Sequence, residues 1–447
     1  MTAHDTIAAL ATPPGKGGVA IIRISGRDAL AIGTRLSGKT PAPRRATLAA
    51  LHDADGSLID QGLLLYFPAP HSYTGEDTLE IHGHGGIAVS QTVLAAVLNA
   101  GARLAEPGEY SRRAYQNGKI DLAQAEAIAD LINARTAAAV KAATRSLQGA
   151  FSQEVNALAA ELLALRAYIE AALDFPEEEN DYLSEGDLEA RLHHWGERLA
   201  RLLAQSTQGR LMNDGINLVI AGKPNAGKSS LLNALVGEER AIVTAQAGTT
   251  RDIVRETLNI AGVPVNILDT AGLRDAADHI EQEGIRRTKQ ALASADLILL
   301  LVDGSTLASG DDPAADLPPE SATTPRLLVY NKADQTPADI QVNHREGLWL
   351  SAKTGDGIDA LRHAIAAAVG RDEREETPYI ARERHLRALK QAAQHHCDAL
   401  AQLHGARNDE LLAEDLRLAH DALGSITGAT SSDDLLGHIF STFCIGK

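Results

Sequence analysis

Aromatic side chains make up only 3% of the 447 residues, leaving little material for the stacking platforms on which single-stranded nucleic acids lie. Cysteine is nearly absent. Cys397 and Cys444 are the only two, which excludes a disulfide framework and suits a reducing cytoplasm. No apolar run approaches the roughly 20 residues that span a bilayer, so no membrane segment is expected. The opening Thr2 to Ala9 carries His4 and Asp5 without a basic start before an apolar stretch, so no secretory leader is expected. Positive charge is the minority sign: 42 Lys and Arg against 59 Asp and Glu give a net charge of −17. That balance argues against coating nucleic acid through a global basic field, so any RNA contact must be local or shared with a partner. The length suffices for two to four domains with sizeable cores.

What the chain does have is glycine in a demanding place. Gly222-Lys223-Pro224-Asn225-Ala226-Gly227-Lys228-Ser229 is a complete G-x-x-x-x-G-K-S loop, between an apolar strand at Ile216–Ala221 and helical spacing over Ser230–Val236. The glycines allow backbone N–H groups to approach phosphate oxygens, and the helix start adds partial positive charge. Lys228 can then reach the β and γ phosphates, while the Ser229 hydroxyl suits Mg²⁺.

Four further elements follow in order. Gly248-Thr249-Thr250-Arg251-Asp252 can supply a threonine to the metal and order a switch loop. A buried strand at Val263–Leu268 ends in Asp269-Thr270-Ala271-Gly272, where Asp269 can hold the metal shell and the Gly272 amide can meet a γ-phosphate. Strands at Leu297–Val302 and Arg326–Tyr330 lead into Asn331-Lys332-Ala333-Asp334, and a short strand at Gly347–Leu350 leads into Ser351-Ala352-Lys353. A carboxylate at Asp334 accepts from the ring N–H and exocyclic amine of guanine, and adenine offers no matching pair of donors. Together these predict a GTPase. The position after the D-T-A-G element, where a Ras-type glutamine orients water, is Leu273, so another group must act. Asp275, Asp278, Glu281 and Glu283 are the candidates. Asn225 is either a turn-stabilising residue or a ligand for a monovalent cation placed where an arginine finger otherwise acts.

Around this core, residues 1 to about 118 alternate short strands and helices. Strands are predicted at Thr6–Ala11, Val19–Ile24, Thr47–Leu51, Gly62–Phe67 and Thr78–His82, with helices at Arg27–Leu36 and Ala88–Ala100. His82-Gly83-His84 lacks further ligands at a metal-site spacing and reads as a strand-end turn. From Asp121 the pattern is helical; Pro176–Asp181 is an acidic loop, Leu188–Gln208 a helix, and Gly209–Gly215 a connection to the first nucleotide-domain strand. Asp311–Pro325, rich in proline, reads as a loop. Helical spacing resumes at Arg382–Leu403, Glu410–Leu423 and Ser432–Phe443. Neither helical part looks like a complete core, so a nucleotide domain at 214–371 is expected to interrupt one helical domain, 119–213 with 372–447. The predicted fold is multidomain α/β and α: an N-terminal α+β domain over 1–118, an all-helical domain, and an inserted Ras-like GTPase domain.

The five nucleotide elements, T-T-R-D, D-T-A-G-L-R and the end Cys444-Ile445-Gly446-Lys447 resemble the MnmE (TrmE) family of tRNA modification GTPases, with a TrmE-type G domain of the TRAFAC class. Thr6–Gly15, Ile22–Gly26 and Tyr73–Asp77 are similar to that family's folate-binding domain, and Asp121–Ala127 to the start of its helical domain. The resemblance implies GTP contacts from Asn225, Ala226, Gly227, Lys228, Ser229 and Ser230; from Thr244, Ala245, Gln246, Ala247, Gly248, Thr249 and Thr250; from Asp269, Thr270, Ala271 and Gly272; and from Asn331, Lys332, Asp334, Ser351, Ala352 and Lys353. It implies Mg²⁺ on Ser229 and Thr250, K⁺ on Asn225, Thr244, Gln246 and Thr249, and Glu281 positioning the attacking water beside Lys228 and Asn225. A 5-formyltetrahydrofolate or related folate falls to Arg23, Glu80, Lys119 and Lys447, with Cys444 on a functional tail. A homodimer, an FAD-dependent partner MnmG and tRNA substrates complete the implied picture, in which wobble uridine gains an aminomethyl or carboxymethylaminomethyl group.

Two other readings compete. A regulatory switch of the ribosome-assembly kind shares every nucleotide motif but gives no reason for the N-terminal domain or the C-x-G-K end. A one-carbon transferase with an accessory GTPase moves the chemistry to the folate domain. The tail itself fits poorly as a prenylation signal, since lysine is last and no polybasic stretch precedes it; Phe440 and Phe443 favour a docked end.

Overall fold

The computed structural model describes residues 5–174, 185–236, 254–269, 295–307, 324–344, 346–370, 379–404, 408–430 and 433–446. The acidic run at 176–181 and most of the 311–325 stretch lie outside them. By packing, the chain falls into two compact units, Met1–Ala129 with Gly424–Lys447, and Asp130–Leu423.

The first unit is built on a six-stranded sheet of β1 (Ile7–Leu10), β2 (Ala20–Ser25), β3 (Thr47–His52), β4 (Leu58–Phe67), β5 (Thr78–Gly83) and β6 (Arg103–Leu104) in the order β3-β4-β5-β2-β1-β6. The pairs are antiparallel except β1 with β6. Alternation does the sorting. Ile22, Ile24, Leu64, Leu79 and Ile81 point to one face, where α1 (Ala29–Ser37) and α2 (Ile87–Asn99) cover them with Ile32, Leu36, Val93 and Val97. β6 and α3 (Glu109–Gln116) carry no strong periodic signal and were not predicted; α3 is mostly polar, and it is held by ion pairs described below. Beyond it, α4 (Leu122–Asn133) contributes Leu122 and Ala125 to a cluster with Ile439, Phe440 and Phe443 of the C-terminal segment.

The second unit holds helices α5 (Ala137–Leu147), α6 (Ala150–Asp174) and α7 (Glu185–Asp214), a six-stranded sheet with its helices, and then α11 (Glu383–His404) and α12 (Asp409–Thr427), which ends in the first unit; α13 (Asp433–Ser441) follows there. The sheet comprises β7 (Ile216–Ala221), β8 (Val254–Ile260), β9 (Val263–Asp269), β10 (Leu297–Asp303), β11 (Arg326–Asn331) and β12 (Leu348–Trp349), ordered β12-β11-β10-β7-β9-β8. All pairs are parallel except β8 with β9. Parallel strands covered on both faces read as continuous apolar runs, as Leu297–Leu301 does. Around the sheet lie α8 (Lys228–Val236), α9 (Ala338–Asn343) and α10 (Ile358–Ala368).

One expectation is corrected. Gly209–Gly215 is not a linker: α7 runs on to Asp214 and straight into the sheet through Gly215 at φ +69°. Gly209 is a contact glycine. A Cβ there would sit 2.5 Å from the Tyr379 carbonyl oxygen and 3.0 Å from the Ala381 amide. The chain therefore leaves the bundle at Asp214 and its return, at Tyr379–Ala381, packs against the same helix. Tyr379 reaches Gln205 at 2.8 Å, and Ser146 bonds the Ile380 amide at 2.9 Å. Arg382 pairs with the buried Asp130 at 2.6 Å.

Candidate functional site: a nucleotide site and a charged tyrosine-lined cluster

The first site forms where strands β7, β10 and β11 end. Gly222 needs its missing side chain, because a Cβ would meet the Leu301 carbonyl oxygen at 2.2 Å. Gly227 is tied to Asn331: a Cβ there would fall 2.2 Å from Asn331 Nδ2. Between them Asn225, exposed, adopts the left-handed conformation at φ 66°, which asparagine tolerates better than most residues. Lys228 donates from Nζ to the carbonyls of Gly222 and Lys223, both at 2.9 Å, so the ammonium is held across the loop's mouth. Ser229 is exposed on the first turn of α8, and with Lys228, Ile220, Leu232 and Ile267 it lines a small cavity.

Asn331 organises the opposite wall. It is buried, donates from Nδ2 to the Ala226 carbonyl at 2.9 Å and accepts on Oδ1 from the Ala352 amide at 3.0 Å. One side chain thus joins the phosphate loop to the Ser351-Ala352-Lys353 loop. Lys332, itself left-handed at φ 64°, anchors its ammonium on Asp303 at 2.5 Å. Burial pushes the Asp303 carboxyl up, but hydrogen bonds from Lys332 and Ser305 outweigh it and hold it below the ordinary range. Asp334 stays exposed at the rim, where a hydrogen bond from Ser351 holds its carboxyl ionised below the usual value. That leaves an exposed acceptor carboxylate at the edge of the site. Of the other predicted nucleotide residues, Asp269 closes β9, whereas Thr244 to Thr250, Thr270 to Gly272 and Glu281 lie outside the described residues.

The second cluster sits on the N-terminal sheet. Arg23 and Glu80 are register partners on β2 and β5 and pair at 2.9 Å. The Arg23 guanidinium lies 5.6 Å from the Tyr73 ring and 5.8 Å from the Tyr110 ring. Desolvation raises both phenols, so both rings stay neutral. His82, two residues along β5, places Nε2 3.0 Å from Glu80 Oε2, and His84 bonds Asp60 at 2.6 Å; each histidine answers a carboxylate of its own. Lys119, exposed, donates to the Pro70 carbonyl at 3.0 Å. The tail docks on this unit. Gly108 N–H donates to the Cys444 carbonyl at 3.3 Å, and Gly446 is buried where a Cβ would lie 2.3 Å from the Leu10 carbonyl. Cys444 is exposed, and Lys447 lies outside the described residues.

Tyr110 was not singled out from the sequence; Tyr73 entered only within the Tyr73–Asp77 resemblance, and His82 only as part of a strand-end turn. The signal was there in part, since Glu80 and His82 alternate on one face of β5; the approach of Tyr110 from a separate helix is a tertiary event. Also unforeseen is the network behind this cluster. Glu109, buried, takes Arg103 at 2.6 Å and Arg113 at 2.9 Å, and Arg113 also reaches Asp5 at 2.7 Å and Glu76 at 3.1 Å.

A phosphate loop at the end of a central parallel strand, a lysine across its mouth and an N-K-x-D element tied to it by one asparagine define a P-loop GTPase. Comparison with known proteins narrows the class. Residues 6–119 match the family model described as GTP-binding protein TrmE N-terminus, and residues 122–444 match the MnmE helical domain. The tRNA modification GTPase MnmE of Dichelobacter nodosus (strain VCS1703A) is 57% identical over 462 aligned residues, covering 100% of both chains. This chain belongs to the MnmE family of tRNA modification GTPases, and it hydrolyses GTP in tRNA modification. Among solved structures, a variant of Era from Aquifex aeolicus bound to GDP·AlF4⁻ is 28% identical, over 40% of this chain and 66% of that one, at a TM-score of 0.27. The G domain of the T. maritima FeoB iron transporter is 22% identical over 34% of this chain and 98% of its own, at 0.25. No described helix is long and apolar enough to cross a membrane.

Proposed function

We propose that the chain works as a cytoplasmic homodimer with the FAD-dependent protein MnmG. Its GTP hydrolysis drives the installation of an aminomethyl or carboxymethylaminomethyl group on wobble uridine of certain tRNAs. The one-carbon unit comes from 5-formyltetrahydrofolate or a related tetrahydrofolate, and the chain is divided as 1–118 for folate and dimerisation, 119–213 with 372–447 for the helical domain, and 214–371 for the GTPase domain.

The observation that carries the reading is the Arg23–Glu80 pair between two tyrosines, with the C-terminal tail seated beside it. Leu10, against which Gly446 packs, follows Ala9, the register partner of Arg23. Gly446, the last described residue of the tail, therefore packs one strand away from the charged cluster. A carboxylate such as Glu80 suits the donor edge of a pterin, and Arg23, Lys119 and Lys447 suit the folate's anionic tail. Tyr73, half-buried beside Arg23, offers an apolar wall to a flat ligand, while the fully buried Tyr110 backs the guanidinium from below.

In the nucleotide site, Lys228 holds the phosphates and Asn331 and Asp334 the guanine. The Ser229 hydroxyl, exposed on the first turn of α8, is a hard oxygen donor of the kind Mg²⁺ takes, with Thr250 as its second protein ligand and Asp269 outside. The Asn225 amide, exposed at the loop's tip, suits K⁺ together with Thr244, Gln246 and Thr249, whose side chains or carbonyls supply oxygens. A cation held there offsets charge developing on the transferred phosphate. Glu281 positions the attacking water, in place of the glutamine that Leu273 replaces.

The test is nucleoside analysis of tRNA from cells lacking this chain, complemented with the intact protein or with Arg23→Ala. Loss of the modified wobble uridine, restored by the intact protein and not by the variant, is the expected result. Normal wobble uridine in the deleted cells would sink the proposal.

A further inference from the structure

We propose that Glu189, His193 and His404 bind a divalent transition-metal ion, zinc being the probe of choice, that staples the far end of α7 to the end of α11. Glu189 and His193 lie one turn apart on α7, and His404 is the last residue of α11. Both imidazoles converge on a single carboxylate oxygen: Nε2 of His404 lies 3.0 Å, and Nε2 of His193 3.7 Å, from Glu189 Oε1. All three ligand atoms fall within 4.8 Å of one another, and the two rings are 6.3 Å apart. A tetrahedral zinc ion at roughly 2.0–2.2 Å from each ligand needs ligand-to-ligand edges near 3.4 Å. The observed spacings bracket that value, so side-chain rotation suffices and the backbone need not move.

An ion pair alone is a poor account of the cluster. The three side chains are 45–55% exposed, and exposed pairs of this kind contribute little. Neutral imidazoles with one carboxylate form a mixed nitrogen and oxygen donor set suited to zinc, nickel or copper rather than to Mg²⁺ or Ca²⁺. Solvent supplies the remaining position.

The scaffold beneath is rigid. His396, buried on α11, places Nε2 2.8 Å from the Leu192 carbonyl of α7, its ring lies 5.2 Å from that of Trp195, and Gly196 has no side chain because a Cβ would meet the imidazole at 2.3 Å. Two helices locked in this register hold the ligands without help from the metal, which is the preorganisation a site needs. The position has a consequence. α7 enters the nucleotide-binding sheet at one end, and the Tyr379–Ala381 segment that starts α11 packs on the same end. Glu189 to Asp214 spans about 38 Å of helix. The metal therefore fastens the distal end of the helix pair that carries the GTPase domain.

The experiment is competition of the purified full-length chain against a chromogenic chelator for Zn²⁺, in Mg²⁺ buffer, alongside thermal melts and the absorption spectrum with Co²⁺. One Zn²⁺ per chain at micromolar affinity or tighter is expected. His193→Ala and His404→Ala should each weaken it by more than the ~10–100-fold typical of losing an outer-shell partner. Glu189→Gln, which preserves shape, should also weaken it. The zinc-dependent rise in melting temperature should vanish with the site, and Co²⁺ should give visible d–d bands without a sulfur charge-transfer band from Cys397 or Cys444. His395→Ala tests the neighbouring group of His395, Asp398 and Asp415, and should leave binding unchanged. Absence of micromolar binding, or binding that survives both histidine variants or is lost only with His395→Ala, would overturn the proposal.

Discussion

Asn331 shows how one buried amide organises a whole site. Replacing it with alanine strands the Ala226 carbonyl and the Ala352 amide, each left without a partner at a cost of about 1–3 kcal/mol. Asn331→Ala should therefore lower GTP affinity by more than tenfold, read by nucleotide titration, because both walls of the site lose their shared support. Asp334 acts at the rim and its effect should be one of choice. Asp334→Asn removes the acceptor pair for guanine's two donors, so affinity should fall for GTP and rise for xanthosine triphosphate, whose edge carries an oxygen in place of the amine. Asn225 tests the cation. Steady-state hydrolysis in K⁺ should exceed that in Na⁺ at equal ionic strength, and Asn225→Ala should erase the difference; equal rates in the unmodified protein would return the role to an arginine finger. The Glu109 carboxyl illustrates linkage. Burial pushes it up, but hydrogen bonds from Arg103 and Arg113 and the Glu106 amide prevail, so it lies below its ordinary value of 4.5 in the folded chain. The stability it contributes is present above that pH and is lost as pH falls through the depressed value. Glu109→Gln should destabilise the N-terminal unit by about 3 kcal/mol near neutrality, leaving two arginines short of a partner, and should flatten the acid limb of a urea-denaturation series run from pH 7 to 3.

At the scale of elements, the hairpin β8–β9 is tied to the helical bundle at its closed end. Thr136 caps α5 by accepting from the Ala139 amide at 3.1 Å, and its hydroxyl donates to the Gly262 carbonyl at 3.1 Å. Arg135 adds bonds to Thr257 at 3.2 Å and Asn266 at 3.3 Å. Thr136→Ala should cost about 1 kcal/mol through the cap alone, and more if the hairpin anchor is lost, measurable as a shift in thermal midpoint. Gly209 carries a sharper expectation. Its helix has no room for a methyl group beside the Tyr379 carbonyl, both atoms being backbone, so Gly209→Ala should destabilise although alanine favours helix by nearly 1 kcal/mol. A stabilised variant would show that the returning segment at Tyr379–Ala381 does not press on α7.

Across the whole molecule, the nucleotide elements were legible because each is short, contiguous and set by local rules: an apolar strand, a glycine turn, a helix start. The phosphate loop, N-K-x-D and S-A-K elements follow strand ends as order and spacing placed them, whereas D-T-A-G lies outside the described residues beyond Asp269. β8 was missed because an antiparallel edge strand carrying Arg255, Glu256, Thr257 and Asn259 lacks the continuous apolar signature of its parallel neighbours. α3 was missed for a similar reason: its place is set by Arg103, Asp5 and Glu76, residues up to 108 positions away in sequence.

The sequence by itself determined the phosphate loop and its flanking strand and helix, and the helical stretches that precede and follow the strands over 216–349, since these rest on periodicity and on a motif closed within about eight residues. Only the tertiary structure decided that Asn331 bridges two loops, that Tyr73 and Tyr110 flank Arg23, that Gly209 is a contact rather than a break, and that Glu189, His193 and His404 meet. Those outcomes depend on which surfaces pack, and packing joins residues whose separation along the chain carries no periodic trace.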